Sequence, residues 1–255
     1  MKTALIGYTG FVGGNLKRQY RFDDLYNSQN ITEIRGKKYD LTISAGAYAA
    51  KWLANKDPVK DINSITSLIE ALQEIEAKEF ILISTVDVYP HPKNIDENTK
   101  INIESLAPYG KNRLILEEFV QNQFSNHRIL RLPGLFGDGL KKNVIFDFMN
   151  NNCIEMIHQD GVFQYYYLDR LQDDIEKIRK NNINLINIAT EPISVKTLAK
   201  EIFDINFKNS IKSPPPEYDM HSIYSKLWGN QKNYLYMKDT VLYDLKQFIK
   251  RTKGK

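Results

Sequence analysis

Leu5-Ile6-Gly7-Tyr8-Thr9-Gly10-Phe11-Val12-Gly13 is the stretch on which the fold turns. The apolar run Thr3–Ile6 reads as a buried strand, and Gly7, Gly10 and Gly13 follow it with the spacing GxxGxxG. Beyond them, Asn15–Tyr20 reads as a helix. A phosphate-binding turn needs glycines, because side chains would hold the backbone away from a pyrophosphate. It also needs a helix start just past the turn, whose free N–H groups and dipole attract the anion. Three glycines alone fit an ordinary strand-to-helix loop; their place between the first strand and its helix is what the motif requires. The turn therefore points to a dinucleotide held along Gly7, Thr9, Gly10, Phe11, Val12 and Gly13.

Outward from the turn, short apolar runs ending in small residues alternate with amphipathic stretches. Leu41–Ala45, Phe80–Ser84, Arg128–Leu132 and Leu185–Ile188 read as further buried strands. Between them, Asp61–Ala77 places Ile62, Ile65, Leu68, Ile69, Leu72 and Ile75 at helical spacing, with Asp61 as N-cap. A second helix is expected from Tyr109 to Phe124, with Leu114, Phe119 and Val120 facing inward. This alternation predicts an α/β chain with a doubly wound parallel sheet of Rossmann type. After Arg131 the pattern loosens. Gly134, Gly137 and Gly139 break it before a helical stretch at Val144–Met149, and Pro192 and Pro214–Pro216 punctuate the rest. The expected division is a dinucleotide-binding domain over residues 1–134 and 162–190 and a small C-terminal substrate lobe over 135–161 and 191–255. Such a lobe would close over a substrate at the strands' carboxyl ends.

The bulk numbers exclude several classes. At 255 residues the chain can bury a full-sized core, and its apolar and charged fractions are those of a globular protein. The net charge of +4 is slight, and much of it sits at Lys246, Lys250, Arg251, Lys253 and Lys255, which read as a solvated helix end rather than a nucleic-acid-binding tail. One cysteine, Cys153, excludes an internal disulfide framework and is expected to be a buried structural thiol. No apolar run approaches the roughly 18–20 residues of a membrane span, and glycine comes too early for a signal peptide, so a cytoplasmic protein without a membrane partner is expected. His91, His127, His158 and His221 show no metal-ligand spacing, and no metal is expected.

Two further places carry chemistry. An acidic residue at the end of the second strand favours NAD and a basic one NADP. That strand should lie near Leu25-Tyr26, and it is followed by Asn27-Ser28-Gln29-Asn30, with Asp23 and Asp24 too early, so Asn27 is the ribose candidate and the choice of cofactor stays open. Ile81–Thr85 ends in two hydroxyls, Ser84 and Thr85. Further on, Tyr109 and Arg113 stand one helical turn apart on one face. A phenol beside a cation can have its pKa drawn toward neutrality, which suits it to take a proton from a hydroxyl, and a strand-end Thr could bond the same oxygen. A surface Tyr–Arg pair and a satisfied buried Thr fit the same spacing.

Taken together these residues resemble the extended short-chain dehydrogenase/reductases, and more narrowly the NAD-dependent epimerase/dehydratase group acting on nucleotide sugars. The resemblance rests on the Gly7/Gly10/Gly13 turn, on Ser84-Thr85 followed by Val88-Tyr89, and on Tyr109-Gly110-Lys111-Asn112-Arg113. Other segments match in order over about residues 1–200. Ser44-Ala45-Gly46-Ala47 resembles the small-residue strand end along the cofactor, and Asp57-Pro58 followed by Asn63 a turn and helix start. Arg131–Gly137 resembles the segment whose backbone passes the nicotinamide; Tyr167-Leu168-Asp169 and Ile186–Ala189 are later landmarks. The resemblance implies that Tyr109 is the catalytic acid/base, that Thr85 positions the reacting oxygen, and that position 113 holds the cofactor ribose and tunes the tyrosine. It adds Ala45, Gly46, Ala47, Ser84, Pro133 and Leu135 to the cofactor contacts, and implies a homodimer.

The chain departs from that family in three ways. Arg113 stands where the family has Lys, and a planar fork is not an ammonium point charge. Val86-Asp87 stands where dehydratases carry an Asp-Glu pair, so 4,6-dehydration is not expected and Asp87 is left as a substrate contact beside Thr85. The chain is also short, so the substrate lobe should be small. Lys141, Lys142 and Asn143 could meet a diphosphate, and a solvated basic turn fits them equally; Gln164, with Lys51 and His91 behind it, is a weaker substrate candidate. Tyr165-Tyr166-Tyr167 reads as strand packing rather than a platform for bases. The expected function is hydride transfer between NAD or NADP and a nucleotide-activated sugar or related polyol, by reduction or epimerisation. The rival is a non-catalytic dinucleotide-binding or sensing protein, motivated by Arg113.

Overall fold

A computed structural model describes residues 1–230 and 232–253. Its central sheet is parallel and six-stranded, built from β1 (Thr3–Ile6), β2 (Asp24–Tyr26), β3 (Leu41–Ser44), β4 (Phe80–Thr85), β5 (His127–Leu132) and β6 (Leu185–Asn187) in the spatial order β6-β5-β4-β3-β1-β2. Each strand expected from an apolar run is present, with its ends within a residue of the expected ones. β1 pairs with β2 on one side, Ile6 opposite Tyr26, and with β3 on the other, Ile6 opposite Ser44. The strand order reverses there, and the carboxyl ends beside such a switch point are where open α/β sheets bind ligands.

Among the described residues eight helices accompany the strands: α1 (Phe11–Gln19), α2 (Lys51–Lys56), α3 (Pro58–Leu72), α4 (Pro108–Gln123), α5 (Val144–Asn150), α6 (Leu171–Lys180), α7 (Val195–Phe203) and α8 (Lys238–Lys253). Alternate strand residues point to opposite faces of a sheet. Ala4, Ile6, Phe80 and Leu82 pack on Ile65, Leu68 and Leu72 of α3 and on Leu116 and Val120 of α4. Leu5, Ile43 and Ile81, which point the other way, are equally buried, as are Leu16 of α1 and Leu171 and Ile175 of α6. Tyr20, at the end of α1, donates to Glu176 Oε1 on α6 at 3.0 Å. The sheet is thus wound on both faces.

The expected cap of α3 is corrected. The helix begins at Pro58, three residues earlier, and its N-cap is Asp57, whose carboxylate accepts from the Lys60 N–H at 3.0 Å. An Asp-Pro step supplies an acceptor at the cap and a residue with no N–H to satisfy at the first helical position. Asp61 lies inside the helix, buried, and is free for another role.

The chain divides into two compact units. The first comprises Met1–Pro90, Lys100–Arg131 and Asp169–Ile186; the second comprises His91–Thr99, Leu132–Leu168 and the stretch from Asn187 onward. Residues 91–99 fall in the second unit because Lys93–Ile95 pairs with Asp219–Met220. Residues 162–168 do so through Tyr165–Tyr167, which pairs in parallel with Gly134–Phe136. The second unit has its own core of Phe136, Ile145, Tyr165, Ile193, Leu198, Leu245 and Phe248. Tyr165 and Tyr166 are buried there as strand packing. Cys153 is exposed, correcting the expected buried thiol; it occupies a left-handed turn position, φ +48°, between α5 and the next short helical turn. On α8, Lys246 and Lys250 are exposed and Arg251 pairs with Asp138 at 2.6 Å; Lys255 lies outside the described residues. Among the described residues no helix is long and apolar enough to cross a membrane.

Candidate active site

The three glycines of the first turn do different work. Gly7 adopts φ +83°, and a Cβ there would stand 2.3 Å from the Ala45 carbonyl oxygen. A Cβ at Gly13 would stand 2.0 Å from the Gly7 carbonyl oxygen, so α1 rests directly on the turn. Gly10 has extended backbone and would meet only Gly7 O, at 3.3 Å. It is the N-cap of α1, and neither a side-chain cap nor an acidic residue covers that first turn. Gly7 and Gly13 therefore serve the fold, whereas Gly10 keeps a helix N-terminus bare. Thr9 and Gly10 are exposed and Phe11 and Val12 half-buried along it. This cradle fits a pyrophosphate.

The neighbouring strand ends carry no free acid. Asp23 accepts from Thr3 N at 2.7 Å, and Asp24 accepts from the Tyr39 hydroxyl at 2.7 Å. Asn27 follows β2 directly; its Oδ1 accepts from Gln29 N at 2.8 Å and its Nδ2 reaches the Tyr8 hydroxyl at 3.4 Å. Past β3, the Ala45 N–H donates to Ile6 O at 2.9 Å, and a Cβ at Gly46 would press on Ile6 Cγ2 at 2.8 Å, so the small residues 45–47 are held against the end of β1.

The second cluster forms where β4 ends against α4. After Thr85 the chain makes a single helical turn, Val86–Val88, in which the Asp87 N–H donates to Thr85 Oγ1 at 3.2 Å. Val86 points into the core. A Cβ at Gly110 would stand 2.0 Å from the Asp87 carbonyl oxygen, so this glycine lets α4 seat directly on the turn. Asn55 Oδ1, from α2, accepts the Tyr109 N–H at 3.0 Å and supplies the cap that Ala107 cannot. Tyr109 is thereby placed with its hydroxyl bonded by Thr85 and with Asp87 and Lys51 close by, themselves paired at 2.6 Å.

The electrostatics correct one expectation. Burial pushes the Tyr109 phenol above its ordinary value and outweighs the opposing pull of Arg113, while Asp87 adds to the rise and Thr85 and Lys51 oppose it. The adjacent cation therefore does not bring the phenol down toward neutrality. Arg113 lies over the ring, its Cζ 4.1 Å from the centroid, and its guanidinium is tied to Asp61 and to the Tyr48 carbonyl. Ser84, read as a cofactor contact, gives its hydroxyl to Glu117. Glu117 is buried and also pairs with Arg131 Nη2 at 2.5 Å, whose Nη1 donates to the Tyr89 hydroxyl at 2.6 Å. Glu117 and Asp61 were missed as site-supporting residues. The spacing of Glu117, four residues after Arg113 on α4, would have paired it with Arg113, whereas its partners are Ser84 and Arg131 on neighbouring strands.

The candidates in the second unit fare differently. Pro133 and Leu135 lie in it, on and beside the strand Gly134–Phe136. Asn143, expected as a substrate contact, adopts φ +117°, caps α5 by accepting from Ile145 N at 3.0 Å and Phe146 N at 3.1 Å, and donates to Leu135 O at 2.8 Å. Gln164, the other amide expected to meet substrate, has its side chain engaged within the second unit. It is buried, and its amide spans Thr190 O, Met220 O at 2.7 Å and Met220 N at 2.8 Å. Lys141, Lys142 and His91 are all exposed, and partial desolvation lowers the Lys142 ammonium from its ordinary value. Among the described residues no group of three His, Cys, Asp or Glu side chains could hold a metal ion.

Comparison with known proteins bears on the same residues. The model of the NAD dependent epimerase/dehydratase family matches residues 21–159, a stretch that starts beyond the glycine turn and includes Thr85, Tyr109 and Arg113. A bifunctional UDP-glucose 4-epimerase and UDP-xylose 4-epimerase from Pisum sativum is 26% identical over 118 residues, 44% of this chain, and the match spans about a third (34%) of that relative's length. Among solved structures, the UDP-glucose 4-epimerase of Thermotoga maritima, determined with UDP-glucose, aligns over 100% of this chain and 99% of its own with a TM-score of 0.74 at 16% identity. The dTDP-4-dehydrorhamnose reductase of Bacillus anthracis, in complex with NADP, aligns over 98% and 99% with a TM-score of 0.75 at 19% identity. At such identities the structural likeness speaks for the fold.

Proposed function

This chain belongs to the NAD dependent epimerase/dehydratase family, and from that premise we propose that it transfers a hydride between NAD or NADP and a carbon of a nucleotide-activated sugar or related polyol, as an epimerase or a reductase. The observation that carries the reading is the buried Tyr109 hydroxyl, bonded by Thr85 and flanked by the Asp87–Lys51 pair. The dinucleotide would lie with its pyrophosphate on the bare N-terminus of α1 and its ribose end toward Asn27. When bound, it supplies the site that accepts or gives the hydride.

The proton is the protein's part. The Tyr109 phenol, raised further by burial, is protonated at neutral pH and would give its proton to the alkoxide formed when hydride reaches a carbonyl, and take the hydroxyl proton back when hydride leaves a carbinol, as epimerisation also requires; Thr85 would fix that oxygen. Val86 offers no acid beside Thr85, which argues for epimerisation or reduction over 4,6-dehydration.

Tyr109→Phe tests the reading. It should lower turnover of keto sugars or sugar epimers by about 10³-fold while leaving NADH and NADPH affinity nearly unchanged. The engagement of Arg113 with Asp61 favours a second reading, a dinucleotide sensor that does not turn over. A wild-type protein inert toward a broad nucleotide-sugar panel, and indistinguishable from Tyr109→Phe, would establish that one instead. Loss of both NADH and NADPH binding in the wild type would remove both.

A further inference from the structure

Position 113 is occupied by a side chain that is anchored through both terminal nitrogens, with only its buried Nε left without a partner. Arg113 is buried on α4; its Nη1 donates to Asp61 Oδ2 of α3, and its Nη2 donates to the Tyr48 carbonyl. Between those two anchors the guanidinium lies on the face of the Tyr109 ring, Cζ 4.1 Å from the centroid. Asn112 Nδ2 donates to the same Asp61 oxygen at 2.8 Å, so the carboxylate is itself held from two neighbouring residues of α4. Bridging two acceptors while stacking on a ring requires a planar fork, which arginine has and lysine lacks. Turning the guanidinium outward would leave the buried Asp61 carboxylate without its cation, a costly state.

We propose that Asp61 is a positioning residue for Tyr109, one that pins the Arg113 guanidinium to the face of the tyrosine ring and so withholds it from a cofactor ribose. Arginine at 113 and an acid at 61 are then one device: the cation acts on the tyrosine through the ring, and its charge there is balanced by a buried carboxylate. The proposal rests on the reading of Tyr109 as the acid/base group. The charged groups facing that tyrosine are Arg113 from α4 with Asp61 behind it, Lys51 from α2, and Asp87 from the turn after β4.

Asp61→Asn keeps the shape and removes the balancing charge. Tyr109 should then ionise about one pH unit lower, because an uncompensated cation favours the phenolate. The readout is an ultraviolet difference titration of the tyrosinate band with no substrate or cofactor present. It is taken against the matching Tyr109→Phe variant, since the chain has 15 tyrosines. In an Arg113→Gln background the effect of Asp61→Asn should vanish; an equal shift there, or no shift in Asp61→Asn alone, overturns the proposal. Should Asp61→Asn fail to fold, Arg113→Lys carries the test. An ammonium cannot hold both anchors, so the Tyr109 titration should move and NADH should bind several-fold more tightly; if neither changes, the proposal falls. The titration needs no turnover. An inert chain that shows the shift loses the enzymatic reading and keeps the device, whereas an active chain without it loses the device alone.

Discussion

The polar residues singled out in the two units meet opposite fates. In the first unit, Thr85 at the end of β4 bonds the Tyr109 hydroxyl of α4, and Asp87 of the following turn and Lys51 of α2, paired with each other, lie near enough to act on it electrostatically. In the second, Asn143 and Gln164 spend their amides on the backbone, one as a helix cap and the other as a clip between the Met220 strand and Thr190. A buried amide must find partners. A polar residue that sequence places in an apolar context is therefore, absent a second residue at the right spacing, already explained by its own burial. What distinguishes the first set is mutual spacing: strand end, turn, and helix start in a fixed order. Substitutions should keep the two sets apart, with function lost and stability kept in the first, and the reverse in the second.

The largest expected effect is that of Tyr109→Phe. Removing the proton donor should lower turnover by about 10³-fold. The ring that Arg113 stacks on is retained, so thermal unfolding should stay close to wild type. Steady-state kinetics beside a melting curve checks both. A variant that lost stability and activity together would erase the distinction drawn above.

Gly10→Asp sharpens it from the cofactor side. The backbone at Gly10 is extended, with a φ any residue can take, and the nearest obstacle to a Cβ is one carbonyl oxygen at 3.3 Å. An aspartate at an N-cap position accepts from the first helical N–H groups, so α1 should be as stable as before or more so. The same carboxylate occupies those N–H groups and repels a pyrophosphate, and dinucleotide affinity should fall on the order of 100-fold. Fluorescence titration with NADH and NADPH measures it. Unchanged affinity would mean that the bare helix end is not the phosphate site.

How much of this was legible in sequence follows the same line. The sheet could be read because parallel strands are buried on both faces and appear as near-continuous apolar runs, as residues 4–6 and 80–83 do. Tyr109 and Thr85 could be read because their spacing serves one oxygen. The role of Asp61 was not legible. Its pairing with Arg113 joins α3 to α4, and no local pattern announces it; the periodicity instead suggested a helix start that Asp57-Pro58 already provides. The pairing of Lys93–Ile95 with Asp219–Met220 was hidden for the same reason, being set by the packing of distant segments. The direction in which burial moves Tyr109 was also out of reach, since spacing reveals the neighbouring cation but not the loss of solvent.

In the second unit the expected order is inverted. Gln164→Leu keeps the apolar volume and removes three hydrogen bonds, leaving Thr190 O, Met220 O and Met220 N buried without their partner. Stability should drop by about 2–4 kcal/mol, with a melting temperature lower by roughly 5–10 °C. Dinucleotide affinity of the folded protein should not change. Weakened substrate binding at an unchanged melting temperature would instead mark Gln164 as a substrate contact.

The smallest effect, and the most discriminating for its region, belongs to Asn143. A simple truncation to alanine would confound two causes, because φ +117° is strained for any residue with a Cβ. Asn143→Gly removes that ambiguity: glycine takes the conformation freely, and only the side-chain bonds to Ile145 N, Phe146 N and Leu135 O are lost. A cap replaced by glycine costs only a few tenths of a kcal/mol, so with the Leu135 tie the total should be about 1 kcal/mol in a denaturant titration. If Asn143 instead met a diphosphate, the same variant would raise KM for a nucleotide sugar while its unfolding midpoint stayed put. The two outcomes separate a residue that builds the second unit from one that serves a ligand.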